Sequence, residues 1–290
     1  MATARESRFK VGRAELYCRD IGRGVPVLVL HGGPDFDHQY FLPELDRLAD
    51  SCRLIYYAQR GRGASRGGVR PEDVALASDL ADLDALRAHL NLESIALLGH
   101  SWGGLLAMEY AIRHPERVSR LVLMNTGPAS QDDYAHFRAE RLRNTPSDMA
   151  RLVELASTPA YQAGELAADA AYYRVHFGAT IRDPKQLEQL VHRLRANFTP
   201  EGILVARAIE DRLMSETWSA AGYDLFPSLR GLRVPTLVIH GEHDFVPVDL
   251  VRRIAEAIPG ARFELIAGSG HFSYLDAPET VQRTVAGFLS

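Results

Sequence analysis

The sequence predicts an α/β fold: a mostly parallel β-sheet flanked by helices, with an inserted helical cap. Short apolar segments rich in Val, Ile and Leu alternate with longer amphipathic segments, which is typical of chains that build parallel sheets buried on both faces. The alternation stops after Met124, and strand character resumes at Val234 after a long helical and charged stretch. We therefore predict a core made of residues 1–127 and 234–290, with residues 128–233 as the cap.

The individual elements follow from the same pattern. The strand-like segments, each bordered by turn residues, are Val25–Leu30, Leu54–Tyr57, Ile95–Leu98, Val118–Met124, Thr236–Ile239 and Phe263–Ile266. Helical spacing of apolar residues marks Ala75–Leu90, Leu105–His114, Leu250–Ile258 and Glu279–Leu289. Ala14–Ile21, which ends at Gly22-Arg23-Gly24, is expected to form an antiparallel hairpin at the sheet edge. Right-handed crossovers would place the active-site crevice at the C-terminal ends of the parallel strands.

Composition and charge exclude several classes of protein. In this 290-residue chain hydrophobic residues make up 46% and charged residues 24%, as in an ordinary globular protein and not in a disordered chain. The net charge of −4 leaves no surplus of positive charge for nucleic acid. The longest apolar run is far shorter than the roughly 18–20 residues that cross a bilayer, and the N-terminus lacks the apolar core of a signal peptide. We expect a cytoplasmic protein with no nucleic-acid or membrane partner, and the sequence indicates no oligomeric state.

The strongest local motif is Gly99-His100-Ser101-Trp102-Gly103, which fits the pattern G-x-S-x-G. It follows a predicted strand and opens a predicted helix, which is the context that a nucleophile elbow requires. Side chains two positions before and two positions after the serine would clash with the crossing backbone, so both positions need glycine. We predict Ser101 as the nucleophile; the alternative is a serine in an ordinary tight turn.

A nucleophilic serine needs a base, and the base needs an orienting carboxylate. With this elbow the chain order is serine, acid, histidine, so both partners are sought downstream. Asp244 follows the predicted strand Thr236–Ile239, and His271 follows Phe263–Ile266 in a glycine-rich loop. We predict His271 as the base and Asp244 as the acid, with Glu242 as the rival acid two residues earlier.

The remaining histidines near these motifs have simpler interpretations. We expect His100 to pack in the core, His31 to brace a turn, His240 to end a strand and His243 to lie in a loop. No pair of histidines has metal-ligand spacing with a third ligand nearby, and the two cysteines lie outside any Cys-x-x-Cys pattern. We therefore expect no metal and no cofactor.

The segment His31-Gly32-Gly33-Pro34, directly after a predicted strand, matches the position that supplies one donor of an oxyanion hole. We assign the N–H groups of Gly33 and Trp102 as the two donors, with Gly32 at the substrate-binding surface; an ordinary Gly-Pro turn is the alternative. The later loop Gln59-Arg60-Gly61-Arg62-Gly63-Ala64-Ser65 lacks the glycine spacing and the Gly-Lys-Ser/Thr ending of a nucleotide site. We interpret that loop as structural.

Taken together, these motifs resemble those of the α/β-hydrolase superfamily, over nearly the whole chain apart from the cap. The combination of His31-Gly32-Gly33-Pro34, the loop from Gln59 to Ser65 and Gly99-His100-Ser101-Trp102-Gly103-Gly104 is similar to the proline iminopeptidase branch. The resemblance implies the α/β-hydrolase fold and a cofactor-free serine hydrolase. That branch removes N-terminal residues, typically proline, from peptides or amides, and acidic cap residues bind the free amino group of the substrate.

The stretch Ala206-Arg207-Ala208-Ile209-Glu210-Asp211 is similar to the Ala-Arg-Ile-Glu-Asn motif of that branch. The resemblance implies Glu210 as the residue that recognises the amine, with Glu216 as a weaker candidate; the alternative places Glu210 on a solvated helix face. Two positions depart from the family pattern. Asp35 stands where the family has glycine after His-Gly-Gly-Pro, and Ala58 stands where it has aspartate before Gln-Arg-Gly.

The leading hypothesis is a hydrolase that cleaves an amide or peptide bond next to a free N-terminal amine through an acyl-enzyme. A carboxylesterase or lactonase with the same triad is the alternative. A ligand-binding receptor on a hydrolase scaffold is a third hypothesis, which the intact catalytic residues disfavour. Either hydrolase would act on a small molecule or a short peptide.

Overall fold

The computed structural model describes residues 3–181 and 183–290. In this part of the chain the strands are β1 (Arg5–Val11), β2 (Ala14–Gly22), β3 (Pro26–Leu30), β4 (Arg53–Tyr57), β5 (Ile95–His100), β6 (Val118–Met124), β7 (Thr236–Gly241) and β8 (Arg262–Ile266). They form one sheet in the order β1-β2-β4-β3-β5-β6-β7-β8. Strand β2 is antiparallel to β1 and β4, and all other neighbours are parallel. The predicted α/β fold with a mostly parallel sheet is confirmed.

The strands with continuous apolar sequence occupy the middle of the sheet, where both faces are covered. Every residue of β5 and β7 is buried. Side chains of β3 alternate between two apolar clusters, with Leu28 and Leu30 in one and Val27 and Val29 in the other. This double burial explains why the sequence shows uninterrupted apolar runs there and not an alternation of apolar and polar residues.

The hairpin at the sheet edge differs from the expectation in its partner and its turn. Strand β2 matches the predicted segment Ala14–Ile21, but it pairs with β1, for which the sequence pattern predicts nothing. The turn between them contains Gly12, with a φ of 60°, and does not involve Gly22-Arg23-Gly24. Strand β1 is largely polar and mostly exposed, so it lacks the apolar signal that identifies the other strands.

Helices cover both faces of the sheet. In chain order they are α1 (Leu76–His89), α2 (Trp102–Arg113), α3 (Gln131–Asn144), α4 (Pro146–Ala156), α5 (Pro159–Gln162), α6 (Leu166–Gly178), α7 (Pro184–Leu194), α8 (Pro200–Glu216), α9 (Phe226–Leu229), α10 (Val248–Ala257), α11 (Ser273–Asp276) and α12 (Pro278–Leu289). Helices α1, α2 and α10 join one apolar cluster, and α12 joins the other.

Helices α3 to α9 lie between β6 and β7, and we name residues 128–233 the inserted segment. None of the described helices is long and apolar enough to cross a membrane.

Proline residues mark where several helices of the inserted segment begin. The first residues of α4, α5, α7 and α8 are Pro146, Pro159, Pro184 and Pro200. The N–H groups of a first helical turn have no partner within the helix, so a residue without an N–H is well tolerated there. Side chains accept backbone hydrogen bonds just before three of these helices, at Thr158, Asp183 and Thr199. Local sequence therefore sets these helix starts.

Arg62 is a buried arginine that joins the loop after β4 to the loop after β3. Its guanidinium pairs with the buried Asp79 of α1 at 2.7 Å and donates from Nε to the Pro34 carbonyl oxygen at 3.0 Å. Further hydrogen bonds to the Arg60 carbonyl oxygen, the Gln59 side chain and Asp79 give each of its N–H groups an acceptor. The loop that we interpreted as structural thus supports the backbone around Pro34.

Replacing Arg62 with Met would leave the Asp79 carboxylate buried without its cation. We expect the free energy of unfolding to fall by about 3–5 kcal/mol, because an uncompensated buried charge is costly. Arg70→Met, which removes an exposed ion pair with Asp73, is the matched control and should cost far less. Urea denaturation followed by circular dichroism measures both variants. Equal losses of unfolding free energy in the two variants would contradict a larger contribution from the buried Arg62–Asp79 pair.

Candidate active site

Ser101 occupies the sharp turn between β5 and α2. Its φ of 56° and ψ of −120° lie in a region that residues with a side chain rarely adopt. A Cβ atom on Gly99 would overlap the carbonyl oxygen of Gly103, and one on Gly103 would overlap the carbonyl oxygen of Leu30. These close approaches explain both glycines of the motif. Ser101 itself lines a cavity at the C-terminal edge of the sheet.

His271 and Asp244 meet at the same edge of the sheet. Nδ1 of His271 lies 2.9 Å from Oδ1 and 3.0 Å from Oδ2 of Asp244, and both side chains are buried. Because an ionised carboxylate only accepts, Nδ1 carries the proton and Nε2 is left as the basic nitrogen. Ser101 and His271 line the same cavity. Among the described residues Ser101 Oγ has no hydrogen-bond partner; catalytic hydrogen bonds often tighten only when substrate binds.

The Asp244 carboxylate is held in its ionised form by its surroundings. Burial by itself raises its pKa, but the attraction of His271 and a second histidine, with hydrogen bonds from His271 and the Val246 N–H, lowers the pKa from 3.8 to about 2. Asn125 is a further donor, since its Nδ2 lies 2.9 Å from Asp244 Oδ2 and 3.0 Å from the Gly270 carbonyl oxygen. The carboxylate is therefore charged and fixed in orientation near neutral pH.

Glu242, the rival acid, has a different partner. Its carboxylate accepts a hydrogen bond from the Gly268 N–H at 2.8 Å, and its side chain is 48% exposed. Asp244 is the carboxylate that the fold brings to His271. A shift of two residues in the same loop therefore separates a buried, paired acid from a solvated one.

A chain of hydrogen bonds joins His271 to the loop after β3. His100 Nε2 lies 2.9 Å from the His271 carbonyl oxygen, and its Nδ1 lies 2.8 Å from the Tyr40 hydroxyl. Burial lowers the pKa of His100 from 6.5 to about 3, so the ring is neutral. A carbonyl only accepts, so Nε2 carries the proton and Nδ1 accepts from Tyr40, whose oxygen accepts from the Gly32 N–H at 2.7 Å. His100 is buried, as expected, and it also links two parts of the site.

The Gly32 N–H is occupied by Tyr40, so the next amide of the loop is the one that can serve a ligand. In the described part of the chain, neither the Gly33 nor the Trp102 N–H donates a hydrogen bond to another residue. Gly33 lines the cavity, and Trp102 begins α2 directly after Ser101. Two unused amides near a serine are what an oxyanion hole requires.

A cavity of about 450 Å³ lies between the sheet edge and the inserted segment. The predicted site residues that line it are Ser101, His271, Gly32, Gly33 and Glu210. Asp244 and Trp102 do not line it and instead adjoin His271 and Ser101. Much of the remaining wall is aromatic or aliphatic, including Tyr134, Phe137, Leu152, Tyr172, Phe177, Trp218 and Phe245. No group of His, Cys, Asp and Glu among the described residues is arranged to hold a metal ion.

Glu210 of α8 presents a carboxylate to this cavity. It has no hydrogen bond or ion pair with any described residue. Burial raises its pKa well above the usual 4.5, and the nearby Asp35 carboxylate raises it further. A cation bound next to such a carboxylate stabilises its ionised form. Glu216, the weaker candidate for the amine, does not line the cavity, and its carboxylate accepts from the Leu76 N–H at the start of α1 at 2.8 Å.

Asp35, the first departure from the family pattern, is tied to the inserted segment by buried ion pairs. Its carboxylate pairs with Arg195 and accepts a hydrogen bond from the Tyr173 hydroxyl at 3.0 Å. Arg195 also pairs with Asp169 at 2.8 Å, and Arg207 pairs with the other oxygen of Asp169 at 2.5 Å. The carboxylate that replaces glycine is thus matched by a cation from the inserted segment.

Three residues that shape the site lie outside the sequence motifs: Tyr40, Asn125 and Arg195. Asn125 carries a usable signal, because it directly follows β6 at the edge where strands of a parallel sheet present functional groups. Tyr40 lies in a short 3₁₀ turn soon after the His31–Pro34 motif, and Arg195 follows α7 in the inserted segment, far from the motifs in sequence. Only the tertiary fold brings these two to the site.

Comparison with known proteins agrees with this fold. The family model described as alpha/beta hydrolase fold matches residues 25–278. The proline iminopeptidase of Lactobacillus delbrueckii subsp. bulgaricus is 29% identical over 305 residues of alignment, which cover 98% of this chain and 97% of that protein.

Solved structures share the same architecture. The crystal structure of a proline iminopeptidase from Mycobacterium smegmatis has a TM-score of 0.72 at 24% identity and covers 98% of this chain and 97% of its own. An esterase from Exiguobacterium antarcticum has a TM-score of 0.70 at 25% identity, with 95% and 96% covered. Since the family model spans most of its length, this chain belongs to the α/β-hydrolase fold family, within which it is similar to proline iminopeptidases.

Proposed function

We propose that this protein is a serine hydrolase that cleaves an amide or peptide bond next to a free N-terminal amine through an acyl-enzyme. The observation that carries the proposal is the unpaired Glu210 carboxylate in the same cavity as Ser101 and His271. A carboxylate there can bind a substrate ammonium group while the serine attacks the neighbouring carbonyl carbon. The similarity to proline iminopeptidases supports the same substrate class. In this proposal the inserted segment is the cap of the active site.

The first half of the proposed reaction forms the acyl-enzyme. Nε2 of His271 takes the proton from Ser101 Oγ, and Oγ bonds to the carbonyl carbon while the C=O electron pair moves to the oxygen. The Gly33 and Trp102 N–H groups stabilise this oxyanion, and Asp244 stabilises the imidazolium. His271 then donates its proton to the leaving nitrogen as the C–N bond breaks and the carbonyl re-forms.

Water completes the proposed reaction. His271 Nε2 takes a proton from a water molecule as the water oxygen attacks the ester carbon of the acyl-enzyme. The second tetrahedral intermediate uses the same two amides. When it collapses, His271 returns the proton to Ser101 Oγ, and the acid product leaves with its free amine.

A carboxylesterase or lactonase that uses the same residues is the second candidate. The aromatic and aliphatic wall of the cavity favours an apolar acyl group, and the esterase from Exiguobacterium antarcticum shares the fold. The two candidates differ in what faces Glu210. An uncharged ester would leave the Glu210 carboxylate without a cation, whereas the ammonium group of a free-amine substrate would neutralise that carboxylate.

Replacing Ser101 with Ala removes the proposed nucleophile, so we expect kcat on proline arylamide to fall by on the order of 10⁶. Asp244→Asn should lower kcat by on the order of 10⁴, because an amide favours the wrong tautomer of His271. Glu242→Gln, in the same loop, is the matched control and should keep its activity. A Ser101→Ala variant with a near wild-type rate, or a Glu242→Gln variant as weak as Asp244→Asn, would contradict these roles.

Replacing Glu210 with Gln keeps the side-chain size and removes its charge. The kcat/KM for proline arylamide, relative to its N-acetylated twin, should fall by about 10- to 100-fold, the usual worth of a hydrogen bond to a charged group. Glu216→Gln is the matched control on the same helix and should keep the wild-type ratio. A wild-type enzyme that shows no preference for the free amine and cleaves a short p-nitrophenyl ester would favour the esterase candidate.

Lowering the pH tests the same carboxylate. Because its pKa is raised, Glu210 gains a proton at a higher pH than an ordinary glutamate and then no longer attracts an ammonium group. The ratio of kcat/KM for proline arylamide to that for a p-nitrophenyl ester should therefore decrease as the pH is lowered from about 8 to about 5. Asp244, with a pKa of about 2, stays ionised throughout. The proposal is inconsistent with a ratio that is constant over this range, or with the same decrease in Glu210→Gln.

A further inference from the structure

We propose that Arg141 binds the carboxylate of the leaving amino acid, so that the preferred substrates are dipeptides with a free amine at one end and a free carboxylate at the other. This inference rests on the proposed function, because it takes Ser101 and His271 to cleave the bond between those two ends. It adds a second charged contact, on the leaving-group side of the bond, to the contact assigned to Glu210.

Arg141 of α3 lines the cavity and has no acidic partner in the described part of the chain. It donates from Nη2 to the His176 carbonyl oxygen at 2.8 Å and from Nη1 to His176 Nε2 at 3.3 Å. A guanidinium group has five N–H donors, so these contacts leave donors for a ligand. Burial lowers the pKa of Arg141, and the attraction of acidic groups such as Asp148 and Asp244, neither of which forms an ion pair with it, offsets this only in part.

Other arginines near the cavity differ in this respect. Arg195 and Arg207, which lie near Glu210, are neutralised by buried aspartates. Arg138 lies one turn before Arg141 on α3 and also lines the cavity, but it is exposed to solvent. Within the described residues, Arg141 is therefore the shielded cation that this cavity offers to an anionic ligand.

Ring contacts place Arg141 on the His271 side of the cavity. Its guanidinium carbon lies 4.8 Å from the centre of the Phe245 ring, and that ring stacks on the His271 imidazole with centroids 4.2 Å apart. In the proposed reaction His271 delivers the proton to the leaving nitrogen, so the leaving amino acid lies beside His271. Its carboxylate is then directed to the part of the cavity that Arg141 lines, where an arginine can bind both carboxylate oxygens.

Glu210 and Arg141 come from different helices and bring opposite charges to one cavity without pairing with each other. A dipeptide carries the complementary pattern, with an ammonium group, a scissile amide and a carboxylate in that order. A longer peptide would place an uncharged amide where the dipeptide has its carboxylate. Hydrolysis consumes one water molecule and releases two free amino acids.

The test compares prolyl-glycine with prolyl-glycinamide, which differ only in the C-terminal carboxylate. We expect wild-type kcat/KM to be about 10- to 100-fold higher for prolyl-glycine, and Arg141→Gln to bring the ratio to about one. Arg141→Lys keeps the positive charge but lacks the planar guanidinium group, and it should retain part of the preference for prolyl-glycine. Arg143→Gln, an exposed arginine paired with Glu140 on the same helix, is the charge-matched control and should keep the wild-type ratio. Chromatography of released glycine or glycinamide gives the rates.

The outcomes separate this inference from the proposed function. Equal wild-type rates on the two substrates would overturn the role of Arg141 and leave the proposed function intact, because both substrates have a free amine. A wild-type protein that cleaves a p-nitrophenyl ester and neither peptide would overturn the proposed function itself. A preference that persists in folded Arg141→Gln but is lost in Arg138→Gln would assign the carboxylate to the exposed arginine and overturn the inference. Circular dichroism of each variant checks folding, and the wild-type comparison holds even if a variant does not fold.

Discussion

The close approach of backbone to backbone at the Ser101 turn is the constraint on which the rest of the site depends. Gly103 has no room for a Cβ atom because the carbonyl oxygen of Leu30 lies against it, and Gly99 is blocked by Gly103 in the same way. With those side chains absent, β3, β5 and α2 close together at one edge of the sheet. The serine then adopts a strained conformation in which its side chain lines the cavity. The same closeness sets the loop that carries Gly33 beside the turn.

Buried charge around this turn falls into two groups. Arg62 with Asp79 and His271 with Asp244 are paired inside the protein, and their hydrogen bonds fix the loops around Pro34 and His271. Glu210 has no such partner in the described part of the chain, although it lies in a shielded cavity. Shielding an unpaired charge is costly, and a bound ion of opposite charge removes that cost. The structure thus separates paired charges that fix these loops from an unpaired carboxylate in the cavity.

The inserted segment supplies part of the cavity wall and is tied to the loop after β3. Arg195 donates to the backbone carbonyl oxygen of Asp35 at 2.5 Å and pairs with its carboxylate, and it pairs with Asp169 of α6 through another nitrogen. The loop after β3 and the inserted segment are therefore joined by buried ion pairs, and separating them would expose unpaired charges. The aspartate that departs from the family pattern at position 35 finds its counter-ion in this contact.

The sequence by itself determined the fold class, the position of the Ser101 turn and the region of its partners, because apolar periodicity, glycine spacing and position after a strand are local patterns. It left Asp244 and Glu242 as rivals, and only tertiary structure decided which of the two is buried against His271. Edge strand β1 escaped detection because its side chains are polar and exposed, so pairing with β2 defines it and periodicity does not. The tertiary structure also decided that Tyr40, Asn125 and Arg195 contact the residues of this site. The physical reason is that burial, hydrogen bonds and ion pairs determine what a polar side chain can do. These contacts are made by residues that are far away in the chain and become neighbours only on folding.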